Sequence, residues 1–189
     1  MIVLTGGPYS GKTTLASHFS GLGNSVIPES AIEVIEMLNG WLGINEQKDW
    51  RTKNFQQFQK FIFDQQVLNE QRYITLTKST NAFNDKHVFL DRSTIDVIAY
   101  LRLNGLRPSR EMLSYCESAP YKQIYLLEVF PDFEARSETG RTSDYEKALH
   151  TGALLKSCYE EFGYDPIVLP CSLSTEERAN MVYEEIGAY

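Results

Sequence analysis

The sequence predicts an α/β fold, in which a mostly parallel β-sheet is covered by helices on both faces. Three observations support this. Short apolar runs bounded by turn residues alternate along the chain with segments of helical spacing. A glycine-rich turn joins the first apolar run to the first helical segment. The 189 residues show no internal repeat or linker-like stretch, so residues 1–189 are expected to form a single domain. Strands and helices in this alternation form a parallel sheet with both faces buried.

Five apolar runs are predicted to be the strands of this sheet. They are Ile2–Thr5, Ser25–Ile27, Val88–Asp91, Ile124–Val129 and Ile167–Leu169. In open parallel sheets, ligands bind beyond the carboxyl ends of the strands. The residues that directly follow each run are therefore the first candidates for a functional site.

Helix starts are the next feature that the sequence indicates. A serine followed three residues later by an acidic residue fits a capping box, in which each side chain bonds to the other residue's backbone. Such pairs are Ser30 with Glu33, Ser93 with Asp96, Ser143 with Glu146, and Ser174 with Glu177. The longest helix is expected from Trp50 to Lys78, where residues such as Phe58 and Phe61 recur at helical spacing and are interpreted as core-facing.

The composition narrows the class of partner. The formal net charge is -7 and the sequence pI about 5.0, which disfavours nucleic acid and anionic membranes as partners selected by bulk charge. The three cysteines form no CxxC pair, which fits a reducing compartment and argues against a zinc site. There is no run of apolar residues long enough for a bilayer and no basic segment before Ile2, so a cytoplasmic protein is expected. The oligomeric state stays open.

The glycine-rich turn reads GGPYSGKT and matches the pattern G-x-x-x-x-G-K-[ST] at every fixed position. The glycines permit backbone angles that turn successive N–H groups onto an anion, and the helix that follows adds its N-terminal dipole. Lys12 is expected to reach the β- and γ-phosphates of a nucleotide, and the Thr13 hydroxyl to ligate Mg²⁺. Tyr9 either covers the phosphates or faces water. The predicted nucleotide-binding residues are Gly6, Gly7, Pro8, Tyr9, Ser10, Gly11, Lys12, Thr13 and Thr14.

Carboxylates follow two of the other strands. Asp91 ends the third apolar run, where an aspartate of a phosphate-loop protein would hold Mg²⁺. Arg92 follows it, either to contact a transferring phosphoryl group or to pair with an acidic neighbour. Glu29 lies at the exit of the second run. Its carboxylate either accepts the proton of an attacking hydroxyl, or supports the metal from outside its direct ligands, or is solvated.

The segment 130–143 loses apolar periodicity, carries two arginines and a glycine, and precedes a helical stretch. A mobile lid that brings arginines to a developing phosphate charge has this composition. An exposed loop with salt-bridged arginines has it too. Arg141 is the preferred lid residue over Arg136, because Gly140 beside it provides a hinge.

Four stretches together resemble a known group of proteins. GGPYSGKTTL, IPESAIEVI, VFLDRSTIDVIAYLRLNG and the FGYDPIVLP–STEER ending are similar to P-loop kinase-like NTPases. This group is catalogued among AAA-type ATPase domains and is related to the nicotinamide riboside kinase domain and to deoxynucleoside kinases. The resemblance runs from Met1 to about Ile186. It implies a three-layer P-loop NTPase fold with sheet order 2-3-1-4-5, and ATP and Mg²⁺ as ligands.

The resemblance also implies roles for particular residues. The catalytic carboxylate of deoxynucleoside kinases would match Glu29, and their acidic-Arg-Ser motif would match Asp91-Arg92-Ser93. On this analogy Glu29 is the base, Arg92 steadies the phosphates, and the lid arginine falls on Arg141. The candidate catalytic residues are Lys12, Glu29, Asp91, Arg92 and Arg141, with Thr13 and Asp91 as the metal ligands.

Three functions remain open at this point. The first is a kinase that moves the γ-phosphoryl group of ATP to a small-molecule, nucleoside-like acceptor. The second is a nucleotide-dependent regulatory ATPase or GTPase switch without such an acceptor. The third is a nucleotide-binding module without catalysis. The presence of Lys12, Thr13, Asp91 and Glu29 favours the first, and neither the acceptor nor the choice between ATP and GTP can be read from the sequence.

Overall fold

The computed structural model describes residues 1–79, 87–131 and 145–187. Its strands are β1 Ile2–Thr5, β2 Ser25–Ile27, β3 Val88–Asp91, β4 Gln123–Leu127 and β5 Ile167–Leu169. Its helices are α1 Lys12–Gly21, α2 Ser30–Leu42, α3 Ile44–Lys53, α4 Phe55–Ser79, α5 Thr94–Leu103, α6 Arg110–Glu117, α7 Tyr145–Glu161 and α8 Thr175–Ile186. Each predicted strand is present, and only β4 differs, since it runs from Gln123 to Leu127 and not from Ile124 to Val129.

The strands form one parallel sheet in the order β2-β3-β1-β4-β5, which confirms the expected topology. The register places Leu4 of β1 opposite Asp91 of β3. The carboxyl ends of these two central strands therefore meet at one edge of the sheet, where the glycine-rich turn begins.

The sheet is the middle of three layers. Along β3, Phe89 packs among residues of α1 and α8, whereas Leu90 packs on the opposite face among residues of α5, α6 and α7. Phe19 of α1 stacks on Phe89 with ring centroids 3.8 Å apart. A buried parallel strand alternates in this way between two cores. The three-layer α/β prediction is confirmed.

The long aromatic segment is divided between two helices. Helix α3 ends at Lys53 and α4 begins at Phe55, so the prediction of one helix from Trp50 to Lys78 was wrong at its start. Asn54 ends α3, and both its backbone N–H and its side-chain amide donate to the carbonyl of Trp50. Asparagine favours such local bonds over helix continuation. The core role is confirmed for Phe58, which packs with α2, but not for Leu68, the last residue of the stripe, which is exposed.

The predicted helix caps have different outcomes. Ser93 with Asp96 and Ser174 with Glu177 each form both bonds of a capping box. The pair of Ser30 and Glu33 does not, because α2 begins at Ser30 itself and the Ser30 hydroxyl donates to Gln66 instead. Ser143 lies outside the described residues.

Two further expectations concern the cysteines and membrane-spanning helices. The cysteines at 116, 158 and 171 are free thiols, and the first two are buried. Among the helices of the described ranges, none is both apolar enough and long enough to cross a bilayer.

Candidate active site

The glycine-rich turn connects β1 to α1 in a conformation that only glycine can adopt at two positions. A Cβ on Gly6, whose φ is +145°, would lie 2.5 Å from the carbonyl oxygen of Leu127. A Cβ on Gly7 would lie 2.5 Å from the carbonyl oxygen of Ala148. Both contacts are with backbone, so a side chain at either position would displace the loop. The loop therefore packs closely against the backbone of β4 and α7.

Lys12 begins α1 and is folded back onto this loop. Its ammonium group donates to the carbonyl oxygen of Gly7 at 2.8 Å and lies 3.1 Å from the Ser10 hydroxyl. Burial, and then the neighbouring charge of Arg92, lower the pKa of Lys12 to about 7. A desolvated cation of this kind is stabilised by an anion. The position therefore suits a phosphate.

Thr13 and Asp91 lie together, as expected for residues that bind one metal ion. The Thr13 hydroxyl donates to Asp91 Oδ2 at 2.9 Å, while Asp91 Oδ1 is buried and has no hydrogen-bond partner within residues 1–79, 87–131 and 145–187. Burial raises the pKa of Asp91. No group of three His, Cys, Asp or Glu side chains in the described ranges is arranged to hold a metal. The Thr13 hydroxyl and the Asp91 carboxylate fit Mg²⁺, which takes its remaining ligands from phosphate and water.

Arg92 lies between two carboxylates. Its Nε is 3.1 Å from Glu29 Oε1, and one terminal nitrogen is 3.1 Å from Asp96 Oδ1. The same nitrogen donates to the carbonyl oxygen of Gly6 at 3.4 Å. The ion pairs agree with one of the two roles predicted for Arg92. The bond to Gly6 also places the guanidinium beside the glycine-rich loop, as the other role, contact with a phosphoryl group, would need.

Asp96 was not predicted as part of the site beyond its helix cap. Its Oδ1 accepts from the Thr5 hydroxyl at 2.8 Å as well as from Arg92. Its Oδ2 accepts from the backbone N–H of Ser93 and from the Tyr159 hydroxyl at 2.5 Å. This buried carboxylate thereby joins β1, α5 and α7 to the arginine.

One cleft lies directly over the glycine-rich loop, and a second cleft lies beside it. The second cleft has a volume of about 230 Å³ and lies between α2, α4 and α5. Its apolar walls include Ile35, Phe58, Ile62 and Val97, and its polar groups include Gln59, Gln66 and Arg51. Glu29 and Arg92 line this cleft and also line the cleft over the loop, which holds residues Tyr9 to Thr14. The two clefts therefore meet at the arginine and the glutamate.

The structure describes all of the predicted catalytic and metal-binding residues except Arg141. The structure brings Lys12, Thr13, Glu29, Asp91 and Arg92 together at the carboxyl ends of β1, β2 and β3. Arg141 and nearly all of the predicted lid at 130–143 lie outside the described residues. Tyr9 is partly buried and packs near Val129 and Ala148.

Arg178 is a further residue that the sequence did not indicate. It lies in α8, is 2% exposed, and donates from Nε to the Pro170 carbonyl and from a terminal nitrogen to the Ser10 carbonyl at 2.8 Å. Its guanidinium lies over the ring of Phe130, with 4.7 Å to the centroid. Burial lowers the pKa of Arg178. In the sequence this arginine ends the STEER stretch and lies in a capped helix, and neither feature assigned it a role.

Comparisons with known proteins agree with this fold. A family model described as an AAA domain matches residues 1–178. The YorR protein of Bacillus subtilis, solved in complex with phosphorylated GDP, has a TM-score of 0.57 and 15% identity, covering 98% of this chain and 95% of that chain. No curated protein matches the sequence.

Two structures of deoxyadenosine kinase from M. mycoides are also similar. The one with the products dCMP and dCDP has a TM-score of 0.51 and 16% identity, covering 100% of this chain and 99% of that chain. The one with dCTP has a TM-score of 0.52 and 14% identity, covering 100% of both chains. At such identities the likeness shows the fold, which is that of P-loop kinases.

Proposed function

The chain belongs to the AAA domain family, and from that premise and the geometry of its site we propose that it is a small-molecule kinase. The proposed reaction transfers the γ-phosphoryl group of ATP to a hydroxyl of a nucleoside-like acceptor. The nucleotide binds at the glycine-rich loop, and the acceptor binds in the cleft between α2, α4 and α5.

One observation carries the proposal: Glu29 and Arg92 belong to both clefts. A hydroxyl bound in the second cleft beside Glu29 would lie next to a phosphate bound at the loop. A regulatory ATPase needs a site for water and a surface for a partner, but it has no use for a separate cleft that opens onto the catalytic residues. The two-cleft arrangement therefore favours transfer to an acceptor.

The chain's own side chains supply positioning and charge. Glu29 accepts one hydrogen bond from Arg92 Nε, and its carboxylate has a further oxygen with which to take the proton of the attacking hydroxyl. Arg92 and Lys12 place positive charge where negative charge develops on the transferred group. Thr13 and Asp91 would hold Mg²⁺, which neutralises charge on the β- and γ-phosphates when bound.

The walls of the second cleft favour a flat, largely uncharged acceptor. Phe58, Ile62 and Tyr100 offer apolar and aromatic surface, and Gln59 and Gln66 offer amide groups. Such a mixture suits the ring of a nucleobase, with the sugar hydroxyl directed to Glu29. Deoxyadenosine kinase, with dCMP and dCDP as its products, has the same fold and supports this class of acceptor.

The test is an acceptor-dependent phosphorylation assay. Purified protein is incubated with Mg²⁺ and either ATP or GTP, together with a panel of nucleosides and deoxynucleosides. We expect phosphorylation of at least one nucleoside, and Glu29→Gln should lower kcat by about 100-fold or more while nucleotide affinity is kept. Glu33→Gln is the matched control, because Glu33 lies one turn along α2 and bonds to Gln65 and Asn69 of α4.

The assay also separates the alternatives. Nucleotide hydrolysis that never depends on an acceptor, and that Glu29→Gln leaves unchanged, would replace the kinase with a regulatory ATPase. Nucleotide binding without any turnover would leave a binding module.

A further inference from the structure

The acceptor cleft contains a carboxamide whose orientation is set by its neighbours. Gln66 of α4 lines the cleft and is 2% exposed. Its Oε1 accepts from the Ser30 hydroxyl at 2.7 Å, and its Nε2 donates to Glu70 Oε1 at 2.9 Å. Asn69 donates to the Ser30 oxygen at 3.3 Å, so the hydrogen of that hydroxyl is left to point at Gln66. The Ser30 hydroxyl could also accept from a rotated amide, so the group that suits only one orientation of Gln66 is Glu70.

Glu70 is the buried end of this arrangement. It is fully buried one helical turn after Gln66, and the Tyr121 and Tyr115 hydroxyls donate to its two oxygens at 2.9 Å and 3.2 Å. Burial raises the pKa of Glu70, whereas the hydrogen bonds from Gln66, Tyr121 and Tyr115 favour its ionised form. In that form the carboxylate only accepts hydrogen bonds, so it receives an N–H from Gln66 and excludes the Gln66 carbonyl. Nothing in the proposed phosphoryl transfer uses this glutamate.

We propose that Glu70 is a positioning residue that fixes the Gln66 carboxamide and thereby sets which nucleobase edge the acceptor cleft prefers. This inference rests on the proposed function, because it takes the cleft to be the acceptor site. With one N–H and one lone pair engaged, Gln66 keeps one of each for a ligand. The complementary ligand has a hydrogen-bond donor beside an acceptor on one edge of a planar ring.

Amino and keto nucleobases carry that edge in opposite order. Adenine and cytosine present an exocyclic amine beside a ring nitrogen acceptor, whereas hypoxanthine and uracil present a carbonyl beside a ring N–H. An amide held in one orientation matches one order and opposes the other. An amide free to rotate by 180° matches both, so Glu70 is expected to create discrimination and its loss to remove it.

The experiment compares deoxyadenosine with deoxyinosine, and deoxycytidine with deoxyuridine. For the wild-type protein we expect a ratio of about tenfold or more in kcat/KM within the better-bound pair, since a wrongly oriented buried amide leaves polar groups unpaired. Glu70→Leu should reduce this ratio to about twofold by changing the KM of the acceptor, with the KM of ATP unchanged. Glu70→Gln keeps the side-chain volume, but its amide can donate as well as accept, so it no longer excludes the Gln66 carbonyl and should also lower the ratio.

A triple variant is designed to remove Glu70 without leaving buried hydroxyl groups that could destabilise the fold. Glu70→Leu leaves two tyrosine hydroxyls without their acceptor, so the triple variant with Tyr115→Phe and Tyr121→Phe replaces the whole group by apolar side chains. The double variant of the two tyrosines, with Glu70 intact, is its control and should keep the wild-type ratio. Circular dichroism verifies that each variant is folded.

The outcomes separate this inference from the proposed function. Equal use of both members of each pair by the wild-type protein, or full discrimination by folded variants without Glu70, would overturn the role of Glu70 while the kinase stands. If no nucleoside is phosphorylated, calorimetric titration of the same nucleosides gives the ratio as dissociation constants. A failure of all four to bind would overturn both.

Discussion

Arg92 has a backbone conformation that few residues other than glycine adopt. Its φ is +75°, which places a non-glycine side chain in the left-handed region at a cost of about 1–2 kcal/mol. Its backbone N–H nevertheless donates to the carbonyl of Leu4, so the β1–β3 ladder continues into the turn. Bonds from its guanidinium to Glu29, Asp96 and Gly6 offset the strain. Strain of this kind at the meeting point of two clefts is typical of functional sites.

Arg178 is predicted to support nucleotide binding through the loop. Arg178→Met removes the bonds to the carbonyls of Ser10 and Pro170 while keeping most of the side-chain volume. We expect the KM of ATP to rise about tenfold, because the Ser10 carbonyl loses a charged donor that fixes the loop. The KM of the acceptor should stay within about twofold, since α8 does not line the acceptor cleft.

The control for this prediction is Arg102→Met. Arg102 pairs with Glu161 between α5 and α7, away from the loop, and should leave both KM values unchanged. Steady-state kinetics with ATP and the acceptor varied in turn give the comparison. An Arg178→Met enzyme with normal ATP affinity, or an equal rise in both KM values, would contradict a specific role at the loop.

At the scale of elements, helix α7 reaches the buried carboxylate of Asp96 through Tyr159. Tyr159 is fully buried, donates to Asp96 Oδ2, and lies 2.6 Å from the Ser93 hydroxyl. Tyr159→Phe should lower the free energy of unfolding by about 1–3 kcal/mol, since it leaves Asp96 with fewer donors. It should also lower kcat about tenfold, because Asp96 holds Arg92.

Tyr164→Phe provides the matched control. The Tyr164 hydroxyl donates to the carbonyl of Ala119, on the side of the sheet that carries α5 and α7 but away from Arg92. Its loss should destabilise the fold by about 1 kcal/mol and leave kcat unchanged. Chemical denaturation and kinetics of both variants test the prediction. If Tyr159→Phe changes stability alone, α7 contributes packing and does not influence the site.

The elements differ in how far the sequence could predict them. Strands were predictable because a buried strand of a parallel sheet is a local apolar run, as in Val88–Asp91. The capping box at Ser30 was not predictable, although α2 does begin there, because the Ser30 hydroxyl bonds to Gln66 of a distant helix instead of its own. The glycine-rich loop follows from local backbone requirements. Arg178 contacts Ser10 across 168 positions of sequence, and no local pattern signals such a contact.

At the scale of the whole molecule, the described residues form two cores on opposite faces of the sheet and a smaller apolar group that adjoins one of them. The sheet separates a core with α1 and α8 from a core with α5, α6 and α7. A smaller group of Val34, Leu38 and Phe58 joins α2 to α4, and Ile62 packs against both this group and the second core. The helices that form the acceptor cleft are thus continuous with the body of the fold.

This continuity predicts that the chain unfolds in one step, as expected for the single domain of residues 1–189. Both tryptophans, Trp41 and Trp50, lie in α2 and α3, so their fluorescence reports on the acceptor side, whereas far-ultraviolet circular dichroism reports on all helices. Denaturation curves from the two signals should coincide, because α4 joins the α2 group to the core with α5, α6 and α7, and strands β1 and β3 contribute residues to both cores. Ile62→Ala should shift both midpoints together, by the equivalent of about 2–4 kcal/mol. A fluorescence transition at lower denaturant than the dichroism transition would mean that α2 and α3 open separately, and the acceptor cleft would then be a locally unstable part of the fold.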